Sequence, residues 1–299
     1  MKIGYIGLGK MGSNMVERLL EKGHEIVVYD PKEEALSRAK EAGAIVAKGI
    51  VEMKELITAP RLIWVMVPHN IVDNVLGELE EVLEKGDVVV DGGNSPYTQS
   101  MERAKKFKNR EIHFLDAGVS GGPNGARNGA CVMVGGEEEV YKKNEKLFKD
   151  ISARDAYAYM GKSGAGHFVK MVHNGIEYGM MQAIAEGFDV LKCSGFGLNL
   201  KDVAHIYNQQ SVITSRLVGW MEKGFEKHGN DLEGITGSAV GTGEALWTLE
   251  AAQKYGVQAQ VIQDAVNART ASQKKPSFQG QIISVLRNQF GGHEAKEKE

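Results

Sequence analysis

The sequence predicts an α/β N-terminal Rossmann-type doubly wound sheet followed by an all-α C-terminal domain. Three observations carry that reading. Short apolar runs alternate with amphipathic stretches through the first half, a glycine-rich turn follows the first run, and strand signals all but vanish after Gly161-Lys162-Ser163-Gly164-Ala165-Gly166. Continuous runs such as Val88-Val89-Val90 suit parallel strands covered on both faces. Strand–helix alternation over this length implies a doubly wound sheet. The 299 residues suffice for two separate cores, at 1–161 and 162–299.

In order, strand signals fall at residues 2–6, 25–29, 44–47, 61–67, 86–91, 112–118, 130–134 and 156–160. Helical spacing falls between them, as at Lys10–Lys22, Pro31–Ala42 and Ile71–Leu83. Beyond the boundary, a proline-free helical segment runs from about His167 to Leu191, with Gly195-Phe196-Gly197 as its stop. Further helices extend to about Phe290, and the charged end, Glu294 to Glu299, is expected to fray.

Composition excludes several classes. A formal net charge of -3 with 25% charged residues carries no basic excess for nucleic acid. Cys131 and Cys193 give neither a disulfide framework nor a metal-ligand spacing, so a reducing, cytoplasmic setting and no metal site are expected. The first residues run straight into a strand pattern, which leaves no room for a signal peptide. The longest apolar run, Leu62 to Val67, is too short to cross a bilayer.

Gly7-Leu8-Gly9-Lys10-Met11-Gly12 is a GxGxxG that follows a strand and opens a helix. Its glycines allow a tight turn, a close approach of backbone to pyrophosphate, and close helix–sheet packing. The helix N-terminus then offers unpaired N–H groups to phosphate. Asp30 ends the second strand, where an acid meets the adenosine ribose and repels a 2′-phosphate. NAD is therefore expected over NADP, with Lys32 leaving NADP possible. Asp30-Pro31-Lys32-Glu33 also reads as an N-cap, a proline at N1 and a capping-box Glu, and the two roles can coexist. Val67 and Asn94, at the ends of the fourth and fifth strands, lie where such sheets bind ligands.

Ser120-Gly121-Gly122-Pro123 is a second glycine-rich loop on the same side, able to turn N–H groups toward a carboxylate or a nicotinamide. The densest chemistry lies in Gly166–Tyr178. At about 100° per residue, Lys170, Asn174 and Glu177 share one helical face, with His173 and Tyr178 at its margins. Met171, Val172 and Ile176 point elsewhere and can face a core. A solvated stripe normally repeats Glu and Lys, whereas this one mixes amine, amide, imidazole, carboxylate and phenol. Lys170 and Glu177 are two turns apart, about 10 Å, enough to bracket a short carbon chain with a base and an acid.

These segments, with Asp91–Ser95, Val119–Gly122, Gly241–Thr248 and Arg287–His293, resemble the short-form 6-phosphogluconate dehydrogenases within the β-hydroxyacid dehydrogenase group. Relatives that oxidise hydroxyacids without this decarboxylation typically lack the equivalents of His173 and Glu177. The resemblance implies that Lys170 removes the 3-hydroxyl proton and Glu177 later protonates C1. It places Asn174 and His173 on the substrate hydroxyls, Ser120, Gly121 and Gly122 on its carboxylate, and Asn94 between cofactor and substrate. It places Tyr178, Thr248, Arg269 and Arg287 at a phosphate. Arg287 and His293 belong to a tail that family members insert into a partner's active site, implying a homodimer or homotetramer. One departure is plain: where the family carries Lys or Arg before Trp247-Thr248, this chain has Leu246, and two residues are inserted nearby. The alternatives are a dehydrogenase of a non-phosphorylated sugar acid, or a dinucleotide sensor without chemistry.

Overall fold

The computed structural model describes residues 1–239, 241 and 243–295. Val240, Thr242 of the Gly241–Thr248 motif and residues 296–299 of the charged tail lie outside the described residues.

The chain forms two compact units, Met1–Met171 and Val172 onward. In the first unit the order is β1 (Lys2–Ile6), α1 (Lys10–Glu21), β2 (Glu25–Tyr29), α2 (Glu33–Glu41), β3 (Ile45–Val46) and α3 (Ile50–Leu56). There follow β4 (Leu62–Val65), α4 (Val72–Val82), β5 (Val88–Asp91), α5 (Tyr97–Lys108), β6 (His113–Ser120) and α6 (Gly122–Asn128). The unit's sheet is completed by β7 (Ala130–Gly135), α7 (Glu138–Lys143), α8 (Glu145–Ile151) and β8 (Ser152–Gly161).

Eight strands form one sheet in the order β3-β2-β1-β4-β5-β6-β7-β8. The first six are parallel, as the continuous apolar runs predict. Side chains alternate across each strand, so the runs feed two cores. Ile3, Tyr5, Trp64 and Val90 pack on one face, and Ile6, Val27, Ile63 and Val89 on the other. The sheet is not wholly parallel, however. β7 turns back antiparallel to β6, with Ser120 opposite Cys131 and Asp116 opposite Gly135, because only the short α6 separates them. β8 begins earlier than its predicted 156 and is largely exposed, as an edge strand.

The second unit takes all but the first turns of α9 (Ala165–Cys193), then α10 (Leu200–Tyr207), α11 (Arg216–His228), α12 (Glu244–Tyr255), α13 (Gln260–Lys274) and α14 (Phe278–Gly291). Its core gathers Met181, Ala185 and Phe188 of α9 with Leu200, Met221, Phe225, Ile282 and Leu286. Each of the Met, Phe, Leu and Ile side chains contributes about 1.5–3 kcal/mol on burial. Ile176 departs from expectation. It is 54% exposed, because α9 turns Gly175 and Tyr178 inward instead, the glycine letting Thr248 pack directly on the helix. No helix among the described residues is long and apolar enough to cross a membrane.

Far from the glycine-rich turn, His24 is buried with Nε2 2.7 Å from Asp150 Oδ2. Burial outweighs that hydrogen bond and holds the imidazole below its usual range. The unfolded chain therefore takes up the proton first as pH falls, so the folded state loses stability below about pH 6.5. Thermal melts of the wild type should drop across that window, and His24→Gln should flatten the dependence.

Candidate active site

The first unit holds a cleft of about 870 Å³ lined by Gly7, Leu8, Gly9, Lys10, Asp30 and Val67 among others. It lies where β1 stands between β2 and β4, the switch point at which doubly wound sheets take ligands. Gly7 has φ +98°, and a Cβ there would strike the Met66 carbonyl, so the turn requires glycine. α1 opens at Gly9 with no side-chain cap hydrogen bond and no acid in its first turn, so the positive end of its dipole suits an anion. The volume and this cradle fit a dinucleotide. Of the fingerprint, Met11 turns instead onto the hydrophobic core, and Gly12 packs against the Gly7 carbonyl.

Asp30 lines this cleft but does not cap α2. That helix starts at Glu33 with Lys32 as its N-cap, so the capping-box reading of Asp30-Pro31-Lys32-Glu33 is corrected. The carboxylate is buried and grips two backbone groups: Leu8 N–H donates to Oδ2 at 2.7 Å, and Lys32 N–H to Oδ1 at 2.9 Å. It thereby pins the glycine-rich turn to the end of β2.

Asn94 is half-buried and lies outside the residues lining that cleft. Its loop is held on both sides. Gly93 N–H donates to Asp91 Oδ1 at 3.1 Å, while Ser95 Oγ donates to Asp91 Oδ2 at 2.9 Å. Arg103 on α5 ties the loop down, donating to Asp91 Oδ2, Ser95 Oγ and Asp73 Oδ1 at 3.1, 2.9 and 2.7 Å. Its hydrogen bond holds the Asp73 carboxyl below the usual carboxylate range. No periodicity singles out Arg103, so sequence reasoning missed it.

Ser120 closes β6, and Gly121 and Gly122 follow with φ +128° and +62° to open α6. Lys170 is half-buried on α9, its stem lying on β6 at Gly118, where a Cβ would overlap the lysine's own. α9 is continuous, so Lys170 and Glu177 keep their two-turn spacing.

In the helical unit, His173, Asn174 and Glu177 form a polar cluster. His173 Nδ1 stands 3.0 Å from Asn174 Oδ1 and 3.8 Å from Glu177 Oε2. Tyr178 is buried, not marginal, with the Arg269 guanidinium 3.5 Å above its ring centroid. Arg269 is 4% exposed, so it is no surface arginine. Burial pushes its guanidinium below the usual arginine range, Tyr178 pulls it back, and Arg287 depresses it further. Arg287, on α14, is likewise lowered by burial and supported by Tyr178, Glu244 and Glu177. The charge of Arg287 thus reaches Arg269, and two partly desolvated cations of this kind favour a nearby anion. A cavity of about 190 Å³ beside them is lined by Tyr178, Gly241, Leu246 and Arg269, with Leu246 half-exposed. Thr248 Oγ donates to the Glu244 carbonyl at 3.3 Å. Arg287 thus stands within electrostatic reach of Arg269 of its own chain. His293 lies exposed beyond it, its carbonyl taken by Asn288 Nδ2 at 2.8 Å.

A Rossmann unit with a glycine turn suited to an anion, followed by a helical unit with a buried Arg269, defines a dinucleotide-binding protein of two domains. Residues 2–162 match the family model described as the NAD binding domain of 6-phosphogluconate dehydrogenase, and residues 166–298 match that enzyme's C-terminal domain. The chain belongs to the 6-phosphogluconate dehydrogenase family. It is 38% identical over 301 residues to the NAD(+)-dependent, decarboxylating 6-phosphogluconate dehydrogenase of Haloferax volcanii, covering 100% of both chains. A decarboxylating 6-phosphogluconate dehydrogenase of Synechocystis is 36% identical, over 98% of this chain and 65% of that one. Among solved structures, the Plasmodium falciparum 6-phosphogluconate dehydrogenase superposes with a TM-score of 0.81 at 31% identity, over 92% of this chain and 62% of that one. The chain thus spans about three-fifths of the Plasmodium protein. A Mycobacterium tuberculosis 3-hydroxyisobutyrate dehydrogenase shares the fold, with a TM-score of 0.73 at 20% identity.

Asp30→Ala frees the Leu8 and Lys32 N–H groups and loosens the turn. NAD affinity is expected to fall about ten- to a hundredfold, at about 1–3 kcal/mol for buried groups left unsatisfied. Fluorescence titration of the variant checks this.

Proposed function

We propose that the chain oxidises and decarboxylates 6-phosphogluconate to ribulose 5-phosphate and CO₂, using NAD in preference to NADP. The observation that carries this reading is the base-and-acid spacing of Lys170 and Glu177 on one unbroken helix, α9. The buried Arg269 and the half-buried Arg287 support a phosphorylated substrate, since a guanidinium fork matches phosphate oxygens.

Held at the cleft lined by Gly7, Leu8, Gly9, Lys10 and Asp30, a nicotinamide dinucleotide would supply the acceptor for the hydride of C3. Lys170 takes the proton from the 3-hydroxyl, then donates a hydrogen bond to the new carbonyl as the carboxylate leaves as CO₂. Glu177 delivers a proton to C1 of the enediol. Asn174 and His173 hold substrate hydroxyls, and Ser120 with the Gly121 and Gly122 N–H groups holds the carboxylate. Asn94, on its clamped loop, stands between cofactor and substrate. Tyr178, Thr248, Arg269 and Arg287 take the phosphate. The NAD preference rests on the buried Asp30 carboxylate, which repels a 2′-phosphate, while Lys32 and Arg38 on the same cleft keep NADP usable. The reading includes a homo-oligomer in which exposed His293 reaches a neighbouring subunit.

A second reading has its own observation. Leu246, half-exposed at the small cavity, stands where the family carries a base, which favours a non-phosphorylated sugar acid. The deciding assay follows NAD and NADP reduction with 6-phosphogluconate beside gluconate while CO₂ is collected. A higher kcat/KM for gluconate overturns the phosphate assignment, and NADH without CO₂ overturns decarboxylation.

Lys170→Ala should lower kcat by about 10²–10⁴-fold, the usual worth of a general base, with NAD affinity intact. Activity within tenfold of wild type would refute the role. Arg287→Ala should raise KM for the sugar acid by at least about tenfold, as expected for a charge-assisted hydrogen bond of about 1.5–3 kcal/mol. An unchanged KM removes that arginine from the site. Gel filtration coupled to assay tests the oligomer, since a fully active monomer contradicts it.

A further inference from the structure

We infer that Asp116, acting with the Ser100–His167 pair, is a positioning residue that sets where the Lys170 amine stands; this rests on reading Lys170 as the base. Asp116 is fully buried in a strand whose neighbours, Phe114, Leu115 and Ala117, are apolar. A carboxylate in such a place is costly unless its charge is met. Here Gly164 N–H donates to Oδ1 at 2.6 Å and His167 N–H to Oδ2 at 2.9 Å. These are opening N–H groups of α9, which have no carbonyl partner within the helix. The carboxylate also faces the positive end of the helix dipole. β6 thus supplies the cap that Gly164, lacking a side chain, cannot.

The space for this contact is made by glycine. Gly135 of β7 is the register partner of Asp116, and a Cβ there would stand 2.7 Å from Oδ1 and 2.6 Å from Gly166 N. The opposite flank of the same turn is held by α5. His167, 2% exposed, has Nδ1 2.7 Å from Ser100 Oγ, itself fully buried, and Phe168 meets Tyr97 edge-on with centroids 5.0 Å apart.

Asp116, Gly118 and Ser120 are alternate residues of one strand, so they share a face, each about 6.7 Å from the next. The first caps α9, the second forms the bed on which the Lys170 stem lies, and the third is the hydroxyl assigned to the substrate carboxylate. Lys170 follows His167 by three residues, about one turn. Rotation or slippage at the cap therefore moves the amine against a Ser120 that stays fixed. A misplacement of about 1 Å at a reacting group can cost about 10²-fold in rate.

The test compares the wild type with Asp116→Asn and Ser100→Ala. It reads kcat, KM, NAD affinity, melting temperature and the primary deuterium isotope effect on kcat with substrate deuterated at C3. Asp116→Asn keeps the shape but turns one acceptor into an N–H₂ facing an N–H. For this variant kcat should fall about 10–100-fold, with KM and NAD affinity changed by no more than about threefold. The isotope effect should rise, because a misaligned base makes the C3 oxidation step limiting. Ser100→Ala should show the same signature with about a tenfold loss, and it carries the test if Asp116→Asn does not fold. Two results overturn the inference: a kcat close to wild type, or a loss that tracks the folded fraction with an unchanged isotope effect. If the wild type turns over gluconate and not the phosphate ester, the substrate reading fails, and the same comparison proceeds on deuterated gluconate.

Discussion

The close approach of α9 to the β6–β7 pair is the constraint from which the rest of the first unit's chemistry follows. It exists only because three positions carry no side chain. A Cβ at Gly118 would overlap Lys170, one at Gly135 would crowd Asp116, and one at Gly166 would press on the Met133 and Asp116 carbonyls. Interiors are close-packed, so one added methyl here would displace a helix instead of being absorbed locally. The lysine is therefore delivered to the end of the sheet by backbone contact, with no long flexible reach.

Buried acids of this unit share a second feature. Asp30, Asp91 and Asp116 each use both carboxylate oxygens as acceptors, mostly from backbone N–H groups of the loop or helix they fix. Asp87, at the opposite end of β5, does the same for the Arg61 and Glu84 N–H groups. These bonds meet each charge locally and leave the loops rigid, the preorganisation that positions reacting groups. Anions are then favoured at the positive N-terminal end of α1 and beside cations. In the helical unit the same logic is reversed: burial and the charge of the half-buried Arg287 both depress the buried Arg269, and Tyr178 with the nearby Glu177 only partly offsets this.

Much of the architecture was legible in the chain itself. A period of two in the apolar runs, set against a period of 3.6 between them, gives the alternation, and GxGxxG after the first run gives the switch-point cleft. The helical face of Lys170, Asn174 and Glu177 was readable for the same reason, since i, i+4 and i+7 share a side of any helix. Local rules went astray where a distant partner intervened. Asp30 reads as a cap from its neighbours, yet the Leu8 N–H, 22 positions away, holds one of its oxygens. Ile176 reads as core, yet α12 packs on Gly175 and turns the isoleucine outward. Arg103 and the Ser100–His167 pair carry no periodic or motif signal, because their partners lie on other elements.

By itself, then, the sequence determined the fold class, the dinucleotide turn and the polar stripe of α9, all of which depend on spacing along one element. Only the tertiary structure decided that β7 runs antiparallel, that Asp116 caps α9, and that Arg269 is buried within reach of the charge of Arg287. Hydrogen bonds and charge pairs between remote segments are fixed by packing, and packing depends on which side chains are absent as much as on which are present.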